Sequence, residues 1–257
     1  MNITIINDCK DENAKGRQLA RIGSIFQSTA NFIGVSNELE AAGNIIDVLD
    51  ANGDNDGIIL VNVAPRNGKA KKHKNGTPFG YFWYKKTLVV SSIDGFTLSL
   101  VKKLKLTKCI NLLDIPEALD VLIKDKFLTP GLKNHIVDTQ FRSYDFLPRI
   151  AFYTFTKKSI KSNKIEIETI PNAPMAIWWV DNFGNCKTTL LSGEAEKIKN
   201  LEYYPRLKDV PDKKSALVAG SSGLGDKRFL EIVVQGGSVA GYFKLFSEQE
   251  LDTTALL

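Results

Sequence analysis

The pattern of apolar residues changes near residue 156, and this change constrains the fold more than any other feature of the chain. Before it, short apolar runs such as NITII and GIILVNV alternate with segments whose apolar residues recur every three or four positions. Strands that alternate with amphipathic helices indicate parallel strands joined by crossover helices. Residues 1–156 therefore predict an α/β domain, with a mostly parallel sheet flanked by helices.

Three helices of this first domain are predicted from the spacing of apolar residues or from a proline at the start of the helix. GRQLARIGSIF and ELEAAGNIIDVL each place their apolar residues on one helical face. PEALDVLIKDKF follows the strand-like CINLLDI and carries Pro116 at a position suited to the first helical turn. A further helix is predicted from Phe96 to Leu104.

Beyond the change, residues 157–169 are a lysine-rich linker, and residues 170–257 read as strands. The segments MAIWWV, NCKTTLL, SALVA and FLEIVV are separated by glycine, proline, asparagine and aspartate. Short strands at such spacing predict a small β-rich domain, either a barrel or a sandwich. The chain is thus expected to hold two domains.

Composition places the chain among ordinary globular proteins of the cytoplasm. Of its 257 residues, 43% are hydrophobic and 25% charged, and no apolar run approaches the length that crosses a bilayer. The first residues lack the basic start of a signal peptide. The three cysteines are too scattered for a disulfide framework or a zinc site, and the two histidines have no partner at metal spacing. We expect no membrane partner and no metal.

The net charge of +5 is concentrated in two basic runs, RNGKAKKHKNG (Arg66–Gly76) and KKSIKSNK (Lys157–Lys164). Neither run has the interleaved aromatic residues of a platform for single-stranded nucleic acid. Solvated basic loops are common on soluble proteins, so no nucleic acid is expected as a partner.

Polar residues that could carry chemistry follow several of the predicted strands. Asp8 ends the first strand, where ligands gather in open α/β sheets, although an acid there also serves as a helix cap. VDNFGN follows the strand AIWWV; it is either a turn in which Asp181 bonds its own backbone or part of a small-molecule site. In QFRSYDFLP, Ser143 or Asp145 is expected to cap the following helix.

In their order along the chain these segments resemble the SAM hydroxide adenosyltransferase family, which includes the SAM-dependent fluorinases and chlorinases. ITIINDCKDE resembles the family's T-D-F-G-x-x-D opening, and GIILVNVAPRNGKAKK its V-D-P-G-V-G-T-x-R segment. VVSSIDGFTLSLV is similar to V-A-P-D-N-G-L-L, TQFRSYDFLP to T-F-H-G-R-D-x-F-A-P, and FLEIVVQGGSVA to Y-L-E-I-A-V-x-x-G-S-A. The most specific match is VDNFGN, which is similar to V-D-R-F-G-N.

The resemblance implies an N-terminal α/β domain, a C-terminal β-barrel, and a homotrimer with sites between subunits. It implies SAM as the substrate, with no further cofactor, and attack at C5′ that releases methionine. Asp8 would bind the ribose hydroxyls, Asp181 the methionine end, and Phe183 and Asn185 the adenine. Ser221 or Ser222 would meet the methionine carboxylate, and the backbone near Gly236 would face adenine.

This chain departs from the family where water is activated. The family's Asp, Arg and His fall on Ala64, Lys71 and Arg142, so no matching general base remains. Lys71, Arg142 and the backbone near Asn67 could hold an anion, and Ser143 stands where some halogenating members have serine. The alternatives are therefore SAM cleavage by water, cleavage by a halide, and nucleoside binding by a decayed active site.

Overall fold

The computed structural model describes residues 1–64 and 77–251, in which twelve strands form two sheets and eight α-helices pack around them. The strands are β1 (Asn2–Asn7), β2 (Asn31–Gly34), β3 (Gly57–Asn62), β4 (Phe79–Tyr84), β5 (Thr87–Ser92), β6 (Cys109–Leu113), β7 (Asn163–Glu166), β8 (Ile177–Val180), β9 (Cys186–Leu191), β10 (Tyr203–Tyr204), β11 (Ser215–Leu224) and β12 (Lys227–Val234). The helices are α1 (Glu12–Phe26), α2 (Glu38–Asn52), α3 (Ser99–Lys103), α4 (Ile115–Lys124), α5 (Lys133–Asp138), α6 (Arg142–Asp145), α7 (Leu147–Lys157) and α8 (Val239–Phe243).

The first sheet has seven strands in the order β2-β1-β3-β5-β4-β6-β7 and is mixed. Strands β2, β1, β3 and β5 run parallel, whereas β4, β6 and β7 pair antiparallel. The prediction of a mostly parallel sheet was therefore too simple. The cause is the two-residue turn Lys85–Lys86, with Lys85 at φ 51°, which folds GYFWYKKTLVVSS into the hairpin β4–β5.

Helices cover both faces of this sheet, as the alternating pattern predicted. Side chains alternate along β3, so that Ile59 packs in one core with α2 and α3, and Ile58 in another with α1, α4 and α7. At the far edge, β7 lies within the range predicted as linker and pairs with β6. The first sheet thus extends to Glu166.

The second sheet has five strands in the order β10-β11-β12-β9-β8, and it is antiparallel except between β10 and β11. The segment predicted as a barrel or a sandwich is thus a sheet with β10 and β8 at its edges. One face has its own core, which includes Ile177 and Ile232. The other face packs on α2, because Trp178 and Phe229 belong to the same core as that helix.

Helix α2 therefore lies between the two sheets. It is buried on most of its circumference, which fits its run of alanine, isoleucine and leucine. Asn37 caps its first turn by accepting a hydrogen bond from the Glu40 amide, and donates another to Ser247 of the C-terminal segment. No helix of the described ranges is both long and apolar enough to span a bilayer.

Candidate functional site

The carboxyl ends of β1, β3 and β5 lie side by side at one end of the first sheet, where hydrogen bonds connect them. A carboxylate oxygen of Asp8, Oδ2, accepts a hydrogen bond from the Ala64 amide at 3.1 Å. The Val63 amide donates to the Ser92 hydroxyl at 3.1 Å. This is the end at which α/β sheets bind ligands, so Asp8 occupies the position that the sequence predicted for it.

A buried amide fixes the backbone that carries Asp8. Asn7 is fully buried, donates to the Gln18 side chain of α1 at 2.7 Å, and accepts from the Cys9 amide at 2.8 Å. The turn out of β1 is thereby fixed on both sides of Asp8. The sequence analysis did not single out Asn7 or Gln18, whose role depends on the packing of α1 against β1.

Helix α6 brings Arg142 and Ser143 to this part of the fold. Arg142 Nη1 donates to the Thr77 carbonyl at 3.4 Å, and burial lowers the pKa of its guanidinium. Ser143 is only 5% exposed, and its hydroxyl has no hydrogen-bond partner within the described residues. The cap predicted for Ser143 or Asp145 was wrong, because neither α6 nor α7 has a side-chain cap and Asp145 instead accepts from Thr139 at 2.6 Å.

The other two predicted catalytic residues, Asn67 and Lys71, lie outside the described ranges, as does His73, one of the two histidines of the chain. Ala64 and Thr77 flank that segment and contact Asp8 and Arg142 respectively.

The VDNFGN segment is the turn between β8 and β9, and the turn interpretation is confirmed. Asp181 Oδ1 accepts from the amides of Phe183 and Asn185 at 2.8 and 2.9 Å, and Oδ2 accepts from the Asn185 side chain at 3.0 Å. The carboxylate thus organises its own backbone. Phe183 projects from the turn and is 71% exposed.

The segment after β12 packs against this turn through Ser238 and Ala240. The Ala240 amide donates to the Gly184 carbonyl at 3.0 Å, and a Cβ on Gly184 would lie 1.9 Å from the Ser238 hydroxyl oxygen. Gly184 has φ 81°, so both its conformation and its neighbour favour glycine. The turn that holds Asp181, Phe183 and Asn185 therefore lies beside Ser238 and Ala240, and Gly236 precedes those residues in the sequence.

The two alternative serines on β11 differ in what they can do. Ser222 is buried; it donates to Asp47 Oδ2 at 2.8 Å and accepts from Lys187 Nζ at 2.5 Å. Its hydroxyl is thus fully engaged between α2 and β9. Ser221 is exposed, and its carbonyl accepts from Arg228, so of the pair its hydroxyl is the accessible one.

Sequence analysis missed a polar cluster between α2 and the second sheet, formed by Asp47, Lys187, Ser222 and Glu231. Lys187 and Glu231 face each other across β9 and β12, and Lys187 lies 3.8 Å from Asp47. Glu231 Oε1 is buried without a partner among the described residues. The available signal was the spacing of Gly43, Asp47 and Asp50, which places two acids on one face of an otherwise apolar helix.

Glu231 is buried and Asp47 is partly exposed, and the pKa values of both are raised. Burial raises the pKa of Glu231, and the charge of Asp181 adds to the rise although Lys187 opposes it. Burial likewise raises the pKa of Asp47, against the hydrogen bond from Ser222. The Asp181 turn and the α2 interface are therefore electrostatically coupled.

We expect Glu231→Gln to gain stability relative to the wild type as the pH rises. Below the ordinary pKa of 4.5 both folded and unfolded wild type hold the proton, and the two proteins should unfold alike. Above it the unfolded chain loses the proton more readily than the folded one, so wild-type stability falls with pH. Urea unfolding between pH 4 and pH 8 measures the difference.

The control for this pH series is Glu194→Gln, which should behave in the opposite way. Burial opposes ionisation of Glu194, but the Leu191 amide and two lysines outweigh it and lower its pKa to about 2. The wild-type advantage over this variant should be constant above about pH 4.5 and should shrink as the pH falls from there to about 2, so for this variant the urea series is extended down to about pH 2. A Glu231→Gln curve that is parallel to the wild type at all pH values would contradict a raised pKa of Glu231 in the folded protein.

The described residues contain no group of three or more His, Cys, Asp or Glu side chains arranged to hold a metal ion.

Comparison with known proteins gives a likeness of fold. No protein-family model matches the chain, and no curated protein matches its sequence. An uncharacterized conserved protein from Thermotoga maritima has a similar structure, with a TM-score of 0.64 at 14% identity over 96% of this chain and 97% of the other. A conserved hypothetical protein from Thermus thermophilus has a TM-score of 0.57 at 15% identity, over the same shares of the two chains. The similarity covers nearly the whole chain, so the fold as a whole resembles that of these two proteins.

Proposed function

We propose that this protein is a divergent member of the SAM hydroxide adenosyltransferase family, and that it cleaves SAM at C5′ to give adenosine and methionine. The observation that carries the proposal is Asp8, an acid at the carboxyl end of β1 whose orientation is fixed by the Ala64 amide. A carboxylate only accepts hydrogen bonds, which suits the two ribose hydroxyls.

The turn after β8 would supply the rest of the adenosyl pocket. Phe183 presents an exposed aromatic face for adenine. The Asn185 side chain donates one N–H to Asp181, and its second N–H and its oxygen would pair with the edge of adenine. Asp181 would hold the methionine end while it organises the turn. Ser221, which is exposed, suits the methionine carboxylate better than Ser222, whose hydroxyl is engaged.

The reaction is a displacement at carbon. A water oxygen forms a bond to C5′ as the bond from C5′ to sulfur breaks, and the sulfonium keeps the electron pair and becomes the neutral thioether of methionine. The water then releases a proton to solvent. Ser143, whose buried hydroxyl has no described partner, would orient the nucleophile with Arg142, Lys71 and the backbone of Asn67.

Charge favours an anion beside these residues. A sulfonium about 5 Å from one cation at an effective dielectric of 20 is destabilised by roughly 3 kcal/mol. A hydroxide or halide between Lys71, Arg142 and the sulfonium would offset that repulsion. A halide-using reaction, which would yield a 5′-haloadenosine, is therefore a variant of the same proposal.

The second candidate is a nucleoside-binding protein without turnover. The observation that favours it is Ala64, which stands where the family has its water-activating acid and offers only its amide, to Asp8. Arg142 is likewise a cation where the family has imidazole, and its guanidinium contacts the Thr77 carbonyl.

We further propose that the active unit is a cytoplasmic homotrimer with each site between two subunits. Around the Asp181 turn and α8 lie four exposed aromatic side chains: Phe183, Tyr242, Phe243 and Phe246. Large apolar groups that share one exposed region are typical of an interface. A neighbouring copy that covers these aromatic side chains would place the carboxyl ends of its own first-sheet strands beside the turn.

Incubation of the pure protein with SAM, in buffers with and without chloride, tests the function. Mass analysis should find adenosine and methionine, or 5′-chloroadenosine if chloride is the nucleophile. Intact SAM with saturable binding would favour the second candidate. Native mass spectrometry of the same samples should show a trimer.

We expect Asp8→Ala and Asn185→Ala each to weaken binding of adenosine or SAM by about tenfold or more, because each removes hydrogen bonds to the ligand, one of them charged. Isothermal titration calorimetry measures the affinities, and thermal unfolding shows whether each variant is folded. Asp54→Ala is the control, because that side chain is exposed and pairs with Lys85. Unchanged affinity in both site variants would refute this position of the pocket.

A further inference from the structure

Three arginines gather where α1, α6 and α7 meet, and we name Arg17, Arg21 and Arg149 the arginine cluster. The guanidinium of Arg21 lies 4.1 Å from the centre of the Tyr144 ring, and that of Arg17 lies 4.7 Å from the same ring. Burial lowers the pKa of Arg149, and the nearby charge of Arg21 lowers it further. Three cations therefore share one small region of the surface.

The cluster carries more positive charge than its surroundings neutralise. Asp145 is the one acid that forms an ion pair with any of the three within residues 1–64 and 77–251, at 3.7 Å from Arg21. That carboxylate also accepts from Thr139. His135 lies 3.8 Å from it and adds positive charge whenever it is protonated. The three positive charges of the arginines thus exceed the one negative charge of Asp145 by two.

Two donors of the cluster are buried and unused. The Nε atoms of Arg21 and Arg149 are shielded from water, and neither has a hydrogen-bond partner in the described part of the chain. A buried donor without an acceptor is destabilising, and more so when it is charged. Arg149 also lies in the first turn of α7, where the helix dipole disfavours a cation and favours an anion. A bound anion would accept hydrogen bonds from these donors and would interact favourably with the dipole of α7.

Aromatic rings hold the guanidinium groups in place. Phe141 and Tyr144 are stacked, with centroids 5.6 Å apart, and Arg17 lies over both rings. A guanidinium that lies over a ring keeps the N–H groups in its own plane for other partners, in a fork that fits phosphate. The rings therefore hold the donors in position before a ligand binds. Binding then costs little side-chain entropy.

We propose that the arginine cluster binds the phosphoryl group of a small phosphorylated ligand. A phosphate monoester carries a charge of about −1.5 to −2 at neutral pH, which matches the excess of two positive charges, whereas a carboxylate would leave one uncompensated. Its oxygens would accept from Arg21 and Arg149 while Arg17 closes the site from the solvent side. SAM and adenosine carry no phosphate, so this site is separate from the proposed reaction and does not depend on it.

Calorimetric titration with inorganic phosphate and with glycerol phosphate, at fixed ionic strength in chloride, tests the site. We expect saturable binding of both, and a melting temperature that rises in phosphate but not in acetate. Arg21→Gln and Arg149→Gln should each weaken binding about tenfold or more, because each removes charged hydrogen bonds. Arg21→Lys keeps the charge without the fork and should lose affinity as well.

Arg206→Gln is the matched control, because Arg206 is an exposed arginine that pairs with Asp209 on the second sheet's side of the chain. It should bind phosphate like the wild type. If Arg21→Gln or Arg149→Gln fails to fold, Arg17→Gln replaces it in the titration, because Arg17 is the exposed member of the cluster; phosphate affinity equal to the wild type in that variant would overturn the proposal. Absence of saturable binding by the wild type would overturn the proposal. So would salt-sensitive binding of duplex DNA without any binding of the two small phosphates.

Discussion

Replacing Trp178 with alanine is expected to lower the free energy of unfolding by about 3–5 kcal/mol, the range for removal of a large buried aromatic side chain. Trp178 is 1% exposed and packs between β8 and α2, with its ring 6.1 Å from that of Phe229. Its loss would leave a cavity at the point where the two sheets share a core. Urea unfolding followed by circular dichroism measures the change.

The neighbouring Trp179→Ala is the control for that measurement. Trp179 is only partly buried, although it belongs to the same strand and has the same size. The loss of stability should therefore be clearly smaller. Equal losses in the two variants would show that α2 and the second sheet do not pack as described.

Gly43→Ala is expected to lower the free energy of unfolding by about 3 kcal/mol, in the upper part of the range for overpacking a core. A Cβ at this position would lie 2.1 Å from the Trp178 ring, which is itself fully enclosed. Either α2 or the ring has to move, although alanine favours a helix more than glycine does. The measurement is again urea unfolding.

Gly16→Ala in the middle of α1 is the matched control, because a Cβ there meets nothing within 4 Å. It should stabilise the protein by about 0.5–1 kcal/mol through helix propensity alone. In a Trp178→Ala background the penalty at Gly43 should largely disappear, because the two residues are in contact and their effects are coupled. A Gly43→Ala variant as stable as Gly16→Ala would contradict the interface.

Local patterns predicted the elements of this fold well, because they depend on neighbours in sequence. The periodic apolar residues of GRQLARIGSIF and ELEAAGNIIDVL lie in α1 and α2, and AIWWV and FLEIVV lie in β8 and β12. The turn at Asp181, one of the two interpretations of VDNFGN, rests on the same kind of information, since the aspartate bonds to amides two and four residues away.

The arrangement of those elements was less predictable, because it depends on contacts between distant residues. Nothing near GYFWYKKTLVVSS indicates that β4 lies between β5 and β6 and makes the sheet mixed. Ser222 bonds to Asp47 across 175 positions, so its burial could not be inferred from the glycines beside it. The predicted cap at Ser143 or Asp145 failed for the same reason, since the Asp145 carboxylate accepts from the Thr139 hydroxyl and pairs with Arg21 of α1.

The position of α2 between the sheets has a consequence for how the molecule loses its structure. Because one helix supplies core to both halves, neither half keeps a complete interior when the other is cut away. A fragment that stops near residue 156 would expose the surface of α2 at Gly43, which Trp178 covers. It would also remove the Gly223 amide from Asp47 and the Arg228 guanidinium from Asp50. We therefore expect the two sheets to unfold as a single cooperative unit, because opening of one would remove part of the core that the shared helix supplies to the other.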